Sequence, residues 1–190
     1  MLQDNEWGLG DSQATVKVYI ANQPNFTQYA NSQSLQPLAT GEIRAIGTAC
    51  GNGWRKVFNV YAKLLFALNT PQWANLGEAS NWQSYRDRYL LQAGSGTALL
   101  FSAPQLPSLR KTNPALKIVM GKRYANSLLL PGSLLWLDGE FAIDPQSNLL
   151  VCPYFDYRQL SNIKILHLVE LIKSLAKSPV IDNNCPLFSC

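Results

Sequence analysis

Charge is scarce in this chain: only 15% of its 190 residues are Asp, Glu, Lys or Arg, against 47% that are hydrophobic. Disordered chains combine few apolar residues with high net charge, so this composition excludes one and supplies enough apolar side chains for a core. Histidine is scarcer still, with His167 alone. Any Ser-His-Asp or Cys-His scheme would have to use it, and it falls on the polar stripe of the C-terminal helical pattern, where an exposed histidine with no catalytic task is expected. The four cysteines form no CxxC pair, and with one histidine the ligand spacing of a structural zinc site is missing. No metal or other cofactor is expected. Cys50 and Cys152 sit in apolar contexts as small hydrophobes, and Cys185 and Cys190 lie in a tail, so no disulfide framework is expected either. No apolar run approaches the roughly 20 residues that span a bilayer. Residues 1–7 carry Asp4 and Glu6 where a secretory signal is basic, and lack its apolar stretch, so the expected location is the cytoplasm. The GxSxG, GxGxxG and GxxxxGK[ST] motifs are all absent, and Gly94-Ser95-Gly96 precedes a strand instead of following one.

What is present is a regular alternation of elements. Residues 15–21, 97–102, 116–120 and 149–152 are short, apolar and bounded by turn signals, the pattern of buried strands. A short helix is expected over 41–49. A clearer one begins at Asn52, where Trp54, Val57, Phe58, Tyr61, Leu64, Leu65 and Leu68 recur at helical spacing and Asn69-Thr70-Pro71 ends the run. Further helices are expected around 82–91, from Gly121-Lys122 through about Leu130, and over 162–177. The last has one narrow polar stripe (Lys164, His167, Glu170), which predicts burial of about three quarters of its circumference, Leu166 and Leu171 included. The sum is an α/β fold: one domain over 1–190, a three-layer open sheet, mostly parallel, with helices on both faces and peripheral tails at 1–14 and 179–190.

The net charge of +4 is unevenly spread. Residues 51–125 hold ten basic residues against Glu78 and Asp87, a net +8, while the segments before and after each carry −2. A basic middle third suits a polyanion-binding face or a solvated surface with chance asymmetry. Ligands of open α/β sheets bind beyond the carboxyl ends of the strands, which singles out the loops that follow them. One holds Asn22, Gln23, Pro24 and Asn25. A second holds Gly121, Lys122 and Arg123 at a helix start, a place for an anion. The third runs from Cys152 to Ser161 and gathers Tyr154, Phe155, Asp156, Tyr157 and Arg158. It is either a binding loop or a lid whose aromatics fold onto the core and whose Asp156 and Arg158 pair. Gly51-Asn52-Gly53-Trp54 is a fourth candidate. Its glycines allow close backbone approach and Trp54 offers a stacking ring, although Asn52 as an N-cap and Trp54 as a core residue fit equally.

The order of these motifs resembles that of the uracil-DNA glycosylase superfamily, above all its mismatch-specific thymine/uracil branch. The resemblance is carried by Ile20-Ala21-Asn22-Gln23-Pro24-Asn25, Gly51-Asn52-Gly53-Trp54, Val119-Met120-Gly121-Lys122 and Val151-Cys152-Pro153-Tyr154, and spans residues 15–177. It implies a site that takes a flipped base, stacks it on an aromatic ring and breaks its glycosidic bond. Gln23 or Asn25 then stands where the family positions water, Trp54 where it stacks the base, and Cys152 where it supports the departing base. Asp156 would replace the missing carboxylate, with Asn22, Asn52, Lys122, Arg123, Tyr154 and Arg158 as binding residues. A thiol and an uncharged amide are poor replacements for the family's groups, so weak or absent excision is expected. Residues 51–68 and 151–162 also resemble an uncharacterised bacterial protein family. Two alternatives stand beside the glycosylase-like reading: a non-catalytic module that binds nucleic acid or nucleotide through Lys122, Arg123, Arg110 and Lys111, and a small-molecule enzyme that uses Asp156, Tyr154 and Arg158.

Overall fold

The four apolar runs form the centre of one sheet. The computed structural model describes residues 6–26, 33–73, 75–105 and 115–177. Its strands are β1 (Gly8–Gly10), β2 (Val16–Tyr19), β3 (Leu35–Gln36), β4 (Thr97–Leu100), β5 (Leu116–Met120), β6 (Leu135–Trp136), β7 (Ala142–Asp144) and β8 (Leu149–Cys152). The helices are α1 (Glu42–Ala49), α2 (Asn52–Leu68), α3 (Trp82–Arg88), α4 (Lys122–Ser127) and α5 (Asn162–Lys177). The strands make one mixed sheet in the order β3-β1-β4-β2-β5-β8-β7-β6. Its middle four, β4-β2-β5-β8, are parallel throughout. β1 joins β4 antiparallel, and β8, β7 and β6 form an antiparallel meander.

Alternation along the strands sends side chains to two faces. Val16, Val18, Ile20, Leu99, Ile118, Met120, Leu150 and Cys152 meet α1, α2, α3 and α5 in the larger core cluster. Tyr19, Ala98, Leu100, Val119, Leu149 and Val151 face the other way, against Ala125 of α4 and Leu128, Leu130 and Leu134. On this second face the Tyr19 hydroxyl donates to Glu6 Oε1 at 2.9 Å, and the Lys17 ammonium pairs with the other Glu6 oxygen. Lys117 is buried nearby and donates to the Ser147 carbonyl at 3.1 Å.

Three expectations are corrected. The stretch before residue 15, expected as a peripheral tail, contributes β1, which is buried between β3 and β4. Its glycines hide it from a strand pattern and also make it possible. Gly10 has φ +131°, and a β-carbon there would stand 2.3 Å from the Thr97 carbonyl oxygen. The helix expected to reach Leu130 ends at Ser127, because Leu128 is already extended and Leu130 precedes Pro131. On α5, the buried set is Ile165, Leu168, Val169, Ile172 and Leu175, while Leu166 is 59% exposed and Ile163 81%. Leu171 is half-buried. α5 packs beside α2 as an outer helix, so contacts reach only one side of it. The expected tail at 179–190 lies outside the described residues.

Two measurements follow from this packing. Leu168→Ala is expected to cost about 2–5 kcal/mol in denaturant melts, against less than about 0.5 kcal/mol for Leu166→Ala. Equal losses would contradict the one-sided burial of α5. Tyr61 is fully buried under the sheet and its hydroxyl donates to the Ala98 carbonyl at 3.1 Å. Burial, then the nearby Tyr85, push its phenol well above the ordinary 10.0, the Ala98 bond opposing. The folded pKa is therefore the higher one, so this contribution to stability is whole below pH 10.0 and is lost as pH rises beyond it. Urea melts between pH 8 and 11 should show stability falling above about pH 10, with a shallower fall in Tyr61→Phe.

Candidate functional site

The chain visits β2 first, then β4 on one side of it and β5 on the other. A reversal of that kind sends the connections that leave two neighbouring strands to opposite faces of the sheet, here those after β2 and β5, and marks the edge where open sheets bind ligands. Four connections and the start of α2 meet along this edge. The loop after β2 is anchored by buried Pro24 and by Phe26, which packs on the core, and it leaves Asn22, Gln23 and Asn25 exposed. The loop after β8 is anchored by buried Phe155 and Leu160, with Phe155 5.7 Å from the Tyr61 ring. Tyr154 joins the two loops, for its half-buried phenol is hydrogen-bonded to the Asn22 side chain. Burial, then the Asp156 charge, push that phenol up, while the Asn22 bond pulls the other way. Gly121, at the end of β5, has φ +96°, which turns the chain into α4, and a β-carbon there would stand 3.9 Å from Tyr154 Cδ2.

Asp156 is the best-connected group on the edge. Its Oδ2 accepts from Lys56 Nζ at 2.8 Å, and its Oδ1 accepts from the Arg158 backbone N–H at 3.0 Å. Its carbonyl accepts from the N–H groups of Gln159 and Leu160, both at 2.8 Å. Burial pushes the carboxyl up, but the Arg158 N–H, the Lys56 hydrogen bond and charge, and the Arg158 charge outweigh it and hold the group below the ordinary value. The expected Asp156–Arg158 side-chain pair is thus replaced. Lys56 supplies the charge, and the Arg158 guanidinium lies 5.9 Å from the Tyr157 ring, over which Lys56 also sits at 4.9 Å.

The other expected site residues divide. Trp54, in the first turn of α2, is half-buried and edge-on to Phe101 at 6.2 Å, with Phe58 tilted at 5.9 Å. Phe101 is in turn edge-on to Trp7 at 5.3 Å, so an aromatic row runs along the ends of β4 and β1. Asn52 is exposed and is the first residue of α2, not its cap. That place falls to Gly51, and no side chain caps the helix. Lys122 leaves the edge: its Nζ donates to the Gly139 carbonyl at 3.0 Å and lies 5.0 Å over the Trp136 ring. Arg123 is exposed on α4, a helix of only 6 residues. Cys152 is wholly buried in the larger core cluster, where burial pushes its thiol well up, so it does not reach the edge. His167 is exposed on α5, edge-on to Phe141 at 4.9 Å. Arg110 and Lys111 lie outside the described residues.

Six of the eight described cations of the basic middle third are engaged. Lys63 and Arg86 sit 5.1 and 5.6 Å over the Trp82 ring, Arg86 also pairs with Asp87, and Arg88 lies 5.5 Å over Tyr89. Lys117 is buried, and Lys56 is held by Asp156. Three contributors to the edge gave no functional signal in the sequence: Lys56, which reads as the polar side of an amphipathic helix, and Phe101 and Trp7, which read as strand end and tail. Among the described residues, no group of three or more His, Cys, Asp or Glu side chains comes together to hold a metal, and no helix is long and apolar enough to cross a membrane.

Fold and edge together define an α/β protein of the open-sheet type, with the loops after β2 and β8 joined through Asn22 and Tyr154 at its topological switch point. The chain belongs to the family of unknown function DUF6942, whose model matches residues 7–173. No curated protein and no solved structure matches it. Membership of an uncharacterised family agrees with the sequence reading, and nothing in the comparisons ties the chain to the uracil-DNA glycosylases.

The Lys56–Asp156 pair makes a prediction about acid. The folded carboxyl titrates below the ordinary 3.8, so its stabilising contribution is present above that value and is lost as pH falls through the lower folded one. Asp156→Asn should flatten the acid limb of stability measured by urea melts from pH 6 to 2, and should speed limited proteolysis within 153–161. A variant with an unchanged acid limb would show that the pair contributes nothing.

Proposed function

We propose that this domain binds a planar, polar ligand of the nucleobase class at the carboxyl edge between the loops after β2 and β8, as a free base, a nucleotide or part of a nucleic acid. In this reading it is a diverged, cytoplasmic relative of the uracil-DNA glycosylase superfamily with little or no excision activity. The observation that carries the proposal is the convergence at the switch point. Asn22 and Tyr154 are hydrogen-bonded between the two loops, the exposed amides of Gln23 and Asn25 stand beside them, and Trp54 leaves part of its ring open at the start of α2. Amides offer donors and acceptors to a base edge, and a half-exposed indole offers it a stacking face.

Chemistry argues against efficient bond breakage. Stabilising a departing base and a positively charged sugar needs charge at the reacting atoms, commonly several kcal/mol of it. Gln23 and Asn25 bring none. Asp156 has both carboxylate oxygens engaged and a lowered proton affinity, which makes it a weak general base. Cys152 is out of reach of a ligand on the edge. The same engagement of Asp156 weakens the small-molecule-enzyme alternative, and of the cations a phosphate-binding module would use, Lys122 is turned onto Trp136 and Gly139.

Tryptophan fluorescence titrations with uracil, adenine, their nucleotides and a uracil-containing single strand provide the test, run at low salt so that weak contacts are not masked. Saturable quenching is expected for at least one, weakened about tenfold or more by Trp54→Ala or Asn22→Ala. No response to any base-bearing ligand would overturn the proposal, as would binding indifferent to both substitutions. Efficient uracil release that persists in Asp156→Asn would overturn the claim about excision.

A further inference from the structure

β1 has little of its own to hold it in place. Two of its three residues are glycines, so Leu9 alone brings a side chain to the core. The two residues before it supply what the strand lacks. Trp7 extends the ladder, its carbonyl accepting from the Phe101 N–H at 3.0 Å. Successive residues of an extended chain point to opposite faces, and Glu6 and Trp7 do so here. Glu6 is half-buried on the second face, where one carboxylate oxygen accepts from the Tyr19 hydroxyl at 2.9 Å and the other from the Lys17 ammonium. Bonds to a charged group are shorter and stronger than neutral ones. Trp7 lies on the face of the larger core cluster, edge-on to Phe101 at 5.3 Å, and Phe101 is edge-on to Trp54 at 6.2 Å. A continuous line of contacts therefore runs from the carboxylate under the sheet to the indole at the carboxyl edge.

We infer that Glu6 is a positioning residue for the candidate site: from the opposite face of the sheet its carboxylate fixes Trp7, and through Phe101 it sets the orientation of the Trp54 indole. The purpose of that orientation rests on the binding reading above, whereas its cause rests on the contacts alone. Of the two ring partners that Trp54 has among the described residues, Phe58 belongs to the same helix and moves with it. Phe101 is then the ring that refers the indole to the sheet, and Trp7 supports Phe101 on its other side. Glu6 touches no ligand in this scheme. It acts on side chains that do, which separates it from a residue that merely holds β1 down.

The test is fluorine NMR of the full chain labelled with fluorotryptophan, the Trp54 signal being assigned by its loss in Trp54→Phe. Trp73, buried in the core, reports that the fold is intact. Glu6→Ala is expected to move the Trp54 signal in the same direction as Trp7→Ala, with the Trp73 signal in place. Tyr19→Phe keeps the ring and removes one of the two bonds, so it should move the Trp54 signal less. A purely structural role would lower the melting temperature and leave that signal where it is, which would overturn the inference. If Glu6→Ala disturbs Trp73 as well, Tyr19→Phe decides, and an unmoved Trp54 signal there overturns it. Uridine monophosphate, titrated into the same proteins, gives the second readout. Its dissociation constant should rise about threefold or more in Glu6→Ala. Binding that survives Glu6→Ala unchanged but is lost in Trp54→Ala would also overturn the inference. A wild-type protein that binds no base would remove the binding reading and leave the fluorine signals to decide the positioning.

Discussion

Parallel pairing of β2 with β4 on one side and β5 on the other is the constraint from which the rest of the molecule follows. A four-residue strand buried on both faces has no solvated side, so each residue must match a layer, and Val16, Val18 and Tyr19 are all fully buried. The same pairing fixes where chemistry can occur. Because the chain leaves β2 for opposite neighbours in turn, the connections after β2 and β5 depart to opposite faces of the sheet, and the loops that carry Asn22 and Tyr154 meet at that point. The Lys56–Asp156 pair then ties the start of α2 to one of those loops.

The second organising theme is the way cations are used. In water an exposed Lys or Arg gains little from a single partner, but an aromatic face adds attraction and dispersion together. Trp82, Tyr157, Tyr89 and Trp136 each hold at least one cation within 6 Å. Five of the ten basic residues of the middle third, Lys56, Lys63, Arg86, Arg88 and Lys122, are therefore also packing elements laid over rings.

The central strands were legible as apolar runs bounded by turns and α2 and α5 by their helical period, while the shorter α1, α3 and α4 were placed only approximately. Val57, Phe58, Tyr61 and Leu65 cannot share a face except on a helix, and 116–120 alternates between two cores. What escaped were elements defined by their partners. Gly8-Leu9-Gly10 has no strand propensity of its own, and β3 and β6, at two residues each, are too short to show a period. At the edge, Asn22, Tyr154 and Trp54 could be picked out because they follow strands or open a helix. The role of Lys56 could not, since its partner lies 100 positions away. Cys152 misled for a related reason: the last residue of a parallel strand can point into the core as readily as into a crevice.

β1 carries a consequence for how the chain is made. The strand it must join, β4, lies about ninety residues further along the chain. Until residues 97–100 are synthesised, Gly8–Gly10 has no antiparallel partner, and glycine pays the largest entropic penalty for being held extended. Its other neighbour, β3, is only two residues long and adds little by itself. β1 can therefore add to the sheet only once its distant partner is in place, so that at this flank order along the chain and order across the sheet run against each other.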